Sequence, residues 1–171
     1  ERQMPDYPHK GPRVVYRNCG GGFFEDVSPM SGTGATTPRS SRGAAFGDFD
    51  NDGDQDLLVM NMNEPPSLLR NDLGGGNAWL QVRLEGTSSN RAGLGATVRV
   101  TAGGRTQARA ALSQSSYYSH DDLRLPFGLG RAIKADRIEV SWPSGRLDVV
   151  TDVPANQIVR NRGGQGRASR P

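Results

Sequence analysis

Five aspartates alternate with other residues in the segment 48–56, which reads DFDNDGDQD. Oxygen donors at alternate positions of a short loop can converge on one cation if the chain turns sharply. Gly53 supplies the backbone freedom for that turn. Without a positive charge among them, carboxylates this close together would repel one another. We therefore predict a metal site whose candidate ligands are Asp48, Asp50, Asp52, Asp54 and Asp56.

Calcium is the ion that this donor set favours, because it takes six to eight oxygen ligands at about 2.3–2.6 Å. The carboxylate of Asp56 would close the cage, and Asp54, at the seventh position, would contribute through its backbone carbonyl. Magnesium prefers a small octahedral shell that an all-protein cage suits poorly. The predicted cofactor is Ca²⁺.

Two other interpretations of the loop are weaker. An EF-hand needs flanking helices and a bidentate glutamate at the twelfth position, where this chain has Val59 inside the apolar run 57–60. Turn preference explains Asn51-Asp52-Gly53 but does not explain five alternating aspartates. The segment is therefore predicted to be a calcium loop between two β-strands.

The composition favours an all-β protein. The 171 residues include 23 glycines and 11 prolines, which is typical of a chain with many turns. No sustained 3.6-residue apolar period predicts a long helix, and no run approaches the roughly 20 apolar residues of a membrane span. The net charge is +3, but the arginines are scattered on alternating strands, which argues against a nucleic-acid partner.

Two stretches of the first half resemble each other. The pair Arg17-Asn18, which is followed by glycines, recurs 53 residues later as Arg70-Asn71. Repeats of this period indicate β-propellers or other stacked β arrays, with residues 28–42 as a long loop. One period cannot close a propeller, so we expect either a C-terminal piece of a longer protein or a chain that completes its sheets with other chains.

From Asn77 onward, alternating strands separated by turn signals predict a small β-sandwich-like domain. The expected organisation is an N-terminal arm at 1–12, a repeat region at 13–76, a β domain at 77–162 and a flexible basic tail at 163–171. Cys19 is the single cysteine, which excludes an internal disulfide. Trp142, at the end of an alternating strand, is predicted to be a core residue.

Catalysis is not predicted. Polar residues crowd the segment 113–122, but neighbours in sequence seldom form a catalytic triad, and no GxSxG elbow occurs. The acidic cluster is already assigned to calcium, so paired carboxylates for acid–base work are lacking. The segment is interpreted as a polar loop, and the protein is expected not to be an enzyme.

The segment 43–57, GAAFGDFDNDGDQDL, resembles the FG-GAP/VCBS repeat, which binds calcium between two strands of a blade in integrin-type propellers. The segment from about 90 to 160 resembles the ASPIC/UnbV domain at Gly93-Leu94-Gly95-Ala96, Phe127-Gly128-Leu129-Gly130 and Trp142-Pro143-Ser144-Gly145. This domain often follows such repeats in secreted proteins. The resemblance implies a partial β-propeller-like repeat with a calcium loop, followed by a small β-sandwich-like domain, in an extracellular protein.

These observations predict a non-catalytic, calcium-binding extracellular module for adhesion or self-assembly. Open sheet edges would recruit protein partners or further copies of the chain, giving a homo-oligomer or a β-rich filament. The alternatives are a C-terminal cap of a larger propeller protein and an accessory domain of a secreted hydrolase.

Overall fold

A computed structural model describes residues 9–72, 75–163 and 168–169. Residues 1–8 of the predicted N-terminal arm lie outside the described residues, as do 164–167 and 170–171 of the predicted tail. The strands are β1 (Tyr16–Gly20), β2 (Phe23–Asp26), β3 (Ser41–Gly47), β4 (Asp56–Asn61), β5 (Ser67–Leu69), β6 (Ala78–Glu85), β7 (Thr97–Ala102), β8 (Arg105–Ala110), β9 (Leu125–Gly130), β10 (Lys134–Ser141), β11 (Leu147–Pro154), β12 (Gln157–Arg162) and β13 (Ala168–Ser169).

The fold is all-β, as the sequence predicts. Strands β1 and β2 form an antiparallel hairpin, and β3, β4 and β5 form a three-stranded antiparallel sheet in that order. The remaining strands form two four-stranded sheets, ordered β11-β10-β7-β8 and β13-β12-β6-β9. Within the described residues none of these sheets closes on itself, so the first half of the chain is propeller-like without being a closed propeller.

The hydrophobic core lies between the two four-stranded sheets. Apolar residues at alternate positions of β6 and β7 point to one side of their strands, and Leu80, Val82, Val98 and Val100 are fully buried there. Trp142 is confirmed as a core residue, and its Nε1 atom donates a hydrogen bond to Asp148 Oδ2 at 2.8 Å. The sandwich therefore carries the largest apolar core among the described residues. The sheet β3-β4-β5 contributes no residue to that core, and Val59 is its buried apolar side chain.

Several local predictions need correction. The segment 28–42, expected to be a loop, contains a 3-10 helix at Ser28–Met30 and a short helix α1 at Gly32–Thr36. Helix α1 packs on the three-stranded sheet, since a Cβ on Gly34 would lie 2.6 Å from Leu69 Cδ2. A two-residue strand, β13, also lies within the tail that the sequence predicts to be flexible, and it pairs with β12.

The two Arg-Asn stretches lie in different sheets within the described residues. The first copy forms the hairpin β1–β2, whereas the second copy contributes β5 to one sheet and leads into β6 of another. Strand β6, which follows the second stretch, is apolar on one side and packs into the sandwich core. Strand β2, which follows the first stretch, is exposed along its whole length. No helix in the described portion combines the length and apolarity needed to cross a membrane.

Candidate metal centre

The acidic loop connects β3 to β4. The last register pair of these strands is Gly47 with Asp56. Asp48, the residue after Gly47, therefore lies close to Asp56, and the two aspartates mark the two ends of the loop. The chain reverses through two left-handed positions, Asn51 with φ 62° and Gly53 with φ 100°. Asparagine and glycine are the residues that adopt this conformation at low cost. The strand pairing and the two turn residues together fold the segment back on itself.

The structure brings three of the five predicted ligands together. One ligand oxygen each from Asp48, Asp50 and Asp56 lie within 4.8 Å of one another. Asp48 and Asp56 are buried and Asp50 is exposed, which places the group at the protein surface with one open side. Three converging hard oxygen donors are a set that a calcium-sized cation accepts. The carboxylates of Asp52 and Asp54 lie outside this group.

Backbone amides fix the two buried carboxylates in place. Asp56 Oδ2 accepts a hydrogen bond from Phe49 N at 2.9 Å, and its Oδ1 accepts one from Asn71 N, also at 2.9 Å. Asp48 Oδ1 and Oδ2 accept from the amides of Asp52 at 3.1 Å and Gly53 at 2.9 Å. These four hydrogen bonds fix the orientation of both carboxylates toward Asp50.

The negative charge of the loop is incompletely compensated. Partial burial, and after it the charges of Asp52 and Asp48, raise the pKa of Asp54 above its ordinary value. Arg70 Nη1 lies 3.9 Å from Asp50 Oδ2, but the same guanidinium is engaged by Asp72 at 2.6 Å. A cation bound among the aspartates would relieve this repulsion.

Residues after Asn77 also contact the loop, and sequence reasoning missed them. Gln81 Nε2 donates to Asp48 Oδ2 at 2.5 Å. The indole of Trp79 lies against Gly53, where an added Cβ would be 2.2 Å from its Nε1 atom. Arg124 donates to the backbone oxygen of Asp48 at 2.6 Å and to Asn51 Oδ1 at 2.5 Å. Trp79 and Gln81 occupy outward positions of β6, and alternation alone does not reveal what covers them.

The polar segment 113–122 shows no catalytic arrangement among the described residues. His120 Nδ1 lies 2.8 Å from the backbone oxygen of its neighbour Asp121. The Ser119 hydroxyl donates to Tyr117 O and accepts from Ala44 N, both at 2.9 Å. The segment therefore binds strand β3, and none of its described hydrogen bonds joins a serine hydroxyl to His120.

The fold and the acidic loop together define the class of the protein. The family model of the FG-GAP-like repeat matches residues 9–59, and that of ASPIC and UnbV matches residues 86–168. The chain thus carries an FG-GAP-like repeat followed by an ASPIC and UnbV domain, which confirms the resemblance seen in the sequence. Neither description names a catalytic activity.

Three curated proteins are similar in sequence to this chain. The chain is 31% identical to cartilage acidic protein 1 of Mus musculus over 139 residues, which is 79% of this chain and 21% of that protein. It is 30% identical to cartilage acidic protein 1 of Homo sapiens over 139 residues, covering 79% and 20%. The protein of the same name from Xenopus tropicalis is 30% identical, covering 79% and 21%. The chain spans about a fifth of the length of these relatives.

Proposed function

We propose that this protein is a non-catalytic, calcium-stabilised extracellular module that works in adhesion or assembly. The observation that carries the proposal is the convergence of Asp48, Asp50 and Asp56, whose ligand oxygens lie within 4.8 Å of one another at the junction of two strands. The match to the FG-GAP-like repeat over residues 9–59 supports a calcium role for this loop.

Each residue of the loop has a separate part in binding the ion. Asp48 and Asp56 are oriented before binding by the backbone amides that they accept. Asp50, on the exposed side, completes the group, and Asp52 and Asp54 are further candidate ligands within the same short segment. Bound calcium supplies the positive charge that the loop lacks and ties the end of β3 to the start of β4. It stabilises the folded protein by mass action.

An extracellular location is part of the proposal. The relatives bear the name cartilage acidic protein 1, and the two matched domains are arranged as in the sequence-based expectation of a secreted protein. Extracellular modules bind calcium with dissociation constants of about 10⁻⁴–10⁻³ M, which suits a site with three converged carboxylates and an open side.

Thermal unfolding with and without calcium tests the calcium role. We expect the unfolding temperature of the parent protein to rise with millimolar calcium and to fall in chelator. Asp50→Asn should abolish most of that difference, because it removes a ligand that makes no hydrogen bond to the loop backbone. Asp152→Asn is the matched control, since Asp152 is exposed, pairs with Lys134 and has a φ of 57° that asparagine tolerates. An equal calcium response in both variants would refute the site.

The hairpin β1–β2 favours association as the use of the module. All of its residues are exposed, and Tyr16, Phe23 and Phe24 are 62%, 75% and 63% exposed. Phe23 and Phe24 are consecutive strand residues, so each face of the hairpin carries an exposed aromatic ring that a partner could cover. A second copy of the chain is the partner that we propose, giving a homo-oligomer or a filament.

Light scattering in calcium and after chelation tests the association. We expect assemblies that shrink when Phe23→Ser and Phe24→Ser are introduced together. A monomer of unchanged mass in every condition would exclude self-assembly and favour the alternative of a C-terminal cap of a larger propeller protein. The further alternative, an accessory domain of a secreted hydrolase, has no specific observation in its favour.

A further inference from the structure

Gln81 is a buried polar residue whose described side-chain hydrogen bond goes to the acidic loop. It is 1% exposed, and it lies on the side of β6 that faces away from the sandwich core, because its neighbours Leu80 and Val82 point into that core. Its Nε2 atom donates to Asp48 Oδ2, the oxygen that also accepts from Gly53 N. Its Oε1 atom is buried without a hydrogen-bond partner among the described residues, which is costly for a buried acceptor.

Two more residues after Asn77 hold the same loop from other directions. Trp79, two positions before Gln81, presents its indole to Gly53, and no residue with a Cβ would fit there. Arg124, just before β9, joins Asp48 O and Asn51 Oδ1 through two of its nitrogens and pairs with Asp122 through a third. The loop therefore rests on one face of the sheet β13-β12-β6-β9 and is contacted at Asp48, Asn51 and Gly53.

We propose that Gln81, Trp79 and Arg124 are positioning residues of the metal centre, so that strand β6 and the segment just before β9 set the calcium affinity of the acidic loop. This inference rests on the proposed function. Residues that orient metal-binding carboxylates typically change metal affinity by 10- to 100-fold when they are replaced. Because linkage is reciprocal, calcium binding in turn stabilises the contact between the loop and β6.

Calorimetric titration with calcium chloride tests the proposal on the full chain. Gln81→Met keeps the volume of the side chain and removes its donor, and we expect the dissociation constant for calcium to rise about tenfold or more. Asn161→Leu is the matched control, because Asn161 is also a buried amide of the same sheet, 2% exposed. Its oxygen has no hydrogen-bond partner in the described part of the chain, and it has no described contact with the loop. The control should unfold at a lower temperature while binding calcium as the parent does.

A second variant keeps the test decisive if Gln81→Met folds poorly. Arg124→Lys retains the charge but loses the planar fork that reaches Asp48 O and Asn51 Oδ1 together, and it should weaken calcium binding several-fold. An unchanged dissociation constant in both variants would overturn the positioning role. A parent protein that shows no saturable binding would instead overturn the proposed function, and the positioning role with it.

Gln81→Glu separates a positioning role from a structural one. A carboxylate at this position faces Asp48 and repels it, so the unfolding temperature in chelator should fall below that of Gln81→Met. Saturating calcium should restore a large part of the loss, because positive charge bound among the aspartates would offset the added negative charge. A loss of the same size with and without calcium would show that Gln81 only packs the loop.

Discussion

Gly53 is required at its position for two separate reasons. Its φ of 100° is costly for any residue with a side chain, and a Cβ would lie 2.2 Å from Trp79 Nε1. Gly104 offers a matched comparison, because its φ of 76° is also left-handed but nothing lies within 4 Å of an added Cβ. We expect Gly104→Ala to cost about 1–2 kcal/mol of unfolding free energy, because a Cβ is disfavoured in the left-handed conformation, and Gly53→Ala to cost clearly more.

Urea unfolding of the two alanine variants measures this difference. If they lose the same unfolding free energy, the close approach of Trp79 to the loop is absent in solution. The sequence contains a signal for the turn at Gly53, since glycine follows asparagine and aspartate there. It contains no signal for the indole that covers this glycine, because that contact joins positions 26 residues apart through the tertiary fold.

The carboxylates of Asp56 and Asp50 should respond differently to neutralisation in the absence of calcium. Both oxygens of Asp56 accept backbone amides, whereas Asp50 lies beside the carboxylates of Asp48 and Asp56, and its described ion pair is with Arg70 at 3.9 Å. In chelator, Asp56→Asn should lose about 1–3 kcal/mol of unfolding free energy, because the amide leaves one buried donor unpaired. Asp50→Asn should be neutral or slightly stabilising, because it reduces repulsion within the loop. Chemical denaturation in chelator distinguishes them, and a larger loss for Asp50→Asn is the contradictory result.

At the scale of elements, the outer edge of β3 is covered by the segment 116–122. Ala44 N donates to Ser119 Oγ and Phe46 N donates to Asp121 Oδ1, each at 2.9 Å, and Phe46 O accepts from Asp122 N at 2.9 Å. These bonds replace the neighbouring strand that β3 lacks. The sequence predicts open sheet edges from the incomplete array, and it could not show that side chains some 75 residues away satisfy one of them.

Removing these two acceptors should expose the edge of β3. The double variant Ser119→Ala with Asp121→Ala should lose about 1–3 kcal/mol of unfolding free energy and should self-associate more than the parent, since free strand edges pair. Ser113→Ala with Ser115→Ala is the control, because both serines are exposed and make no described hydrogen bond. Denaturation and light scattering report the two effects, and identical behaviour of both double variants would argue against edge covering.

The start of β3 is tied to the N-terminal segment by Glu64. Its Oε1 pairs with Lys10 at 2.5 Å and its Oε2 accepts from Ser40 N at 3.2 Å. These hydrogen bonds, to Lys10 first and then to Ser40, lower the pKa of Glu64 below its ordinary value of 4.5. A lowered pKa means that the stabilisation is complete above pH 4.5 and is lost as the pH falls through the lower, folded-state value.

The unfolding free energy of Glu64→Gln should therefore lie furthest below that of the parent near neutral pH. The difference in unfolding free energy should shrink below pH 4.5, where the parent carboxylate becomes protonated. Urea unfolding in chelator at pH 7 and pH 3 measures it, with Asp152→Asn as a surface comparison, because Lys134 likewise lowers the pKa of Asp152. A gap between the parent and Glu64→Gln that stays constant with pH would contradict the account.

At the scale of the whole molecule, the sequence predicts the layout better than the contacts between its parts. The strands β6, β7 and β10 follow from alternation, and the acidic loop follows from its spacing. The predicted boundary between residues 76 and 77 stays a prediction. The seating of the loop on β6 depends on Trp79 and Gln81, which share an alternating pattern with ordinary solvent-facing residues. Only the tertiary fold distinguishes an outward residue covered by another segment from one covered by water.

The contacts of the acidic loop with Trp79, Gln81 and Arg124 join it to the sandwich. The loop is held at Asp48, Asn51 and Gly53 by side chains that follow it in the sequence. Metal binding among the aspartates is therefore expected to stabilise the second half of the chain as well as the strands β3 and β4.

Calcium binding by the loop 48–56 can be measured by calorimetric titration of the parent protein with calcium chloride. We expect saturable binding of about one ion per chain, with a dissociation constant of about 10⁻⁴–10⁻³ M, and no binding by Asp50→Asn with Asp56→Asn combined. A titration of the folded parent that shows no saturable calcium binding up to 10 times the upper limit of that range would contradict it.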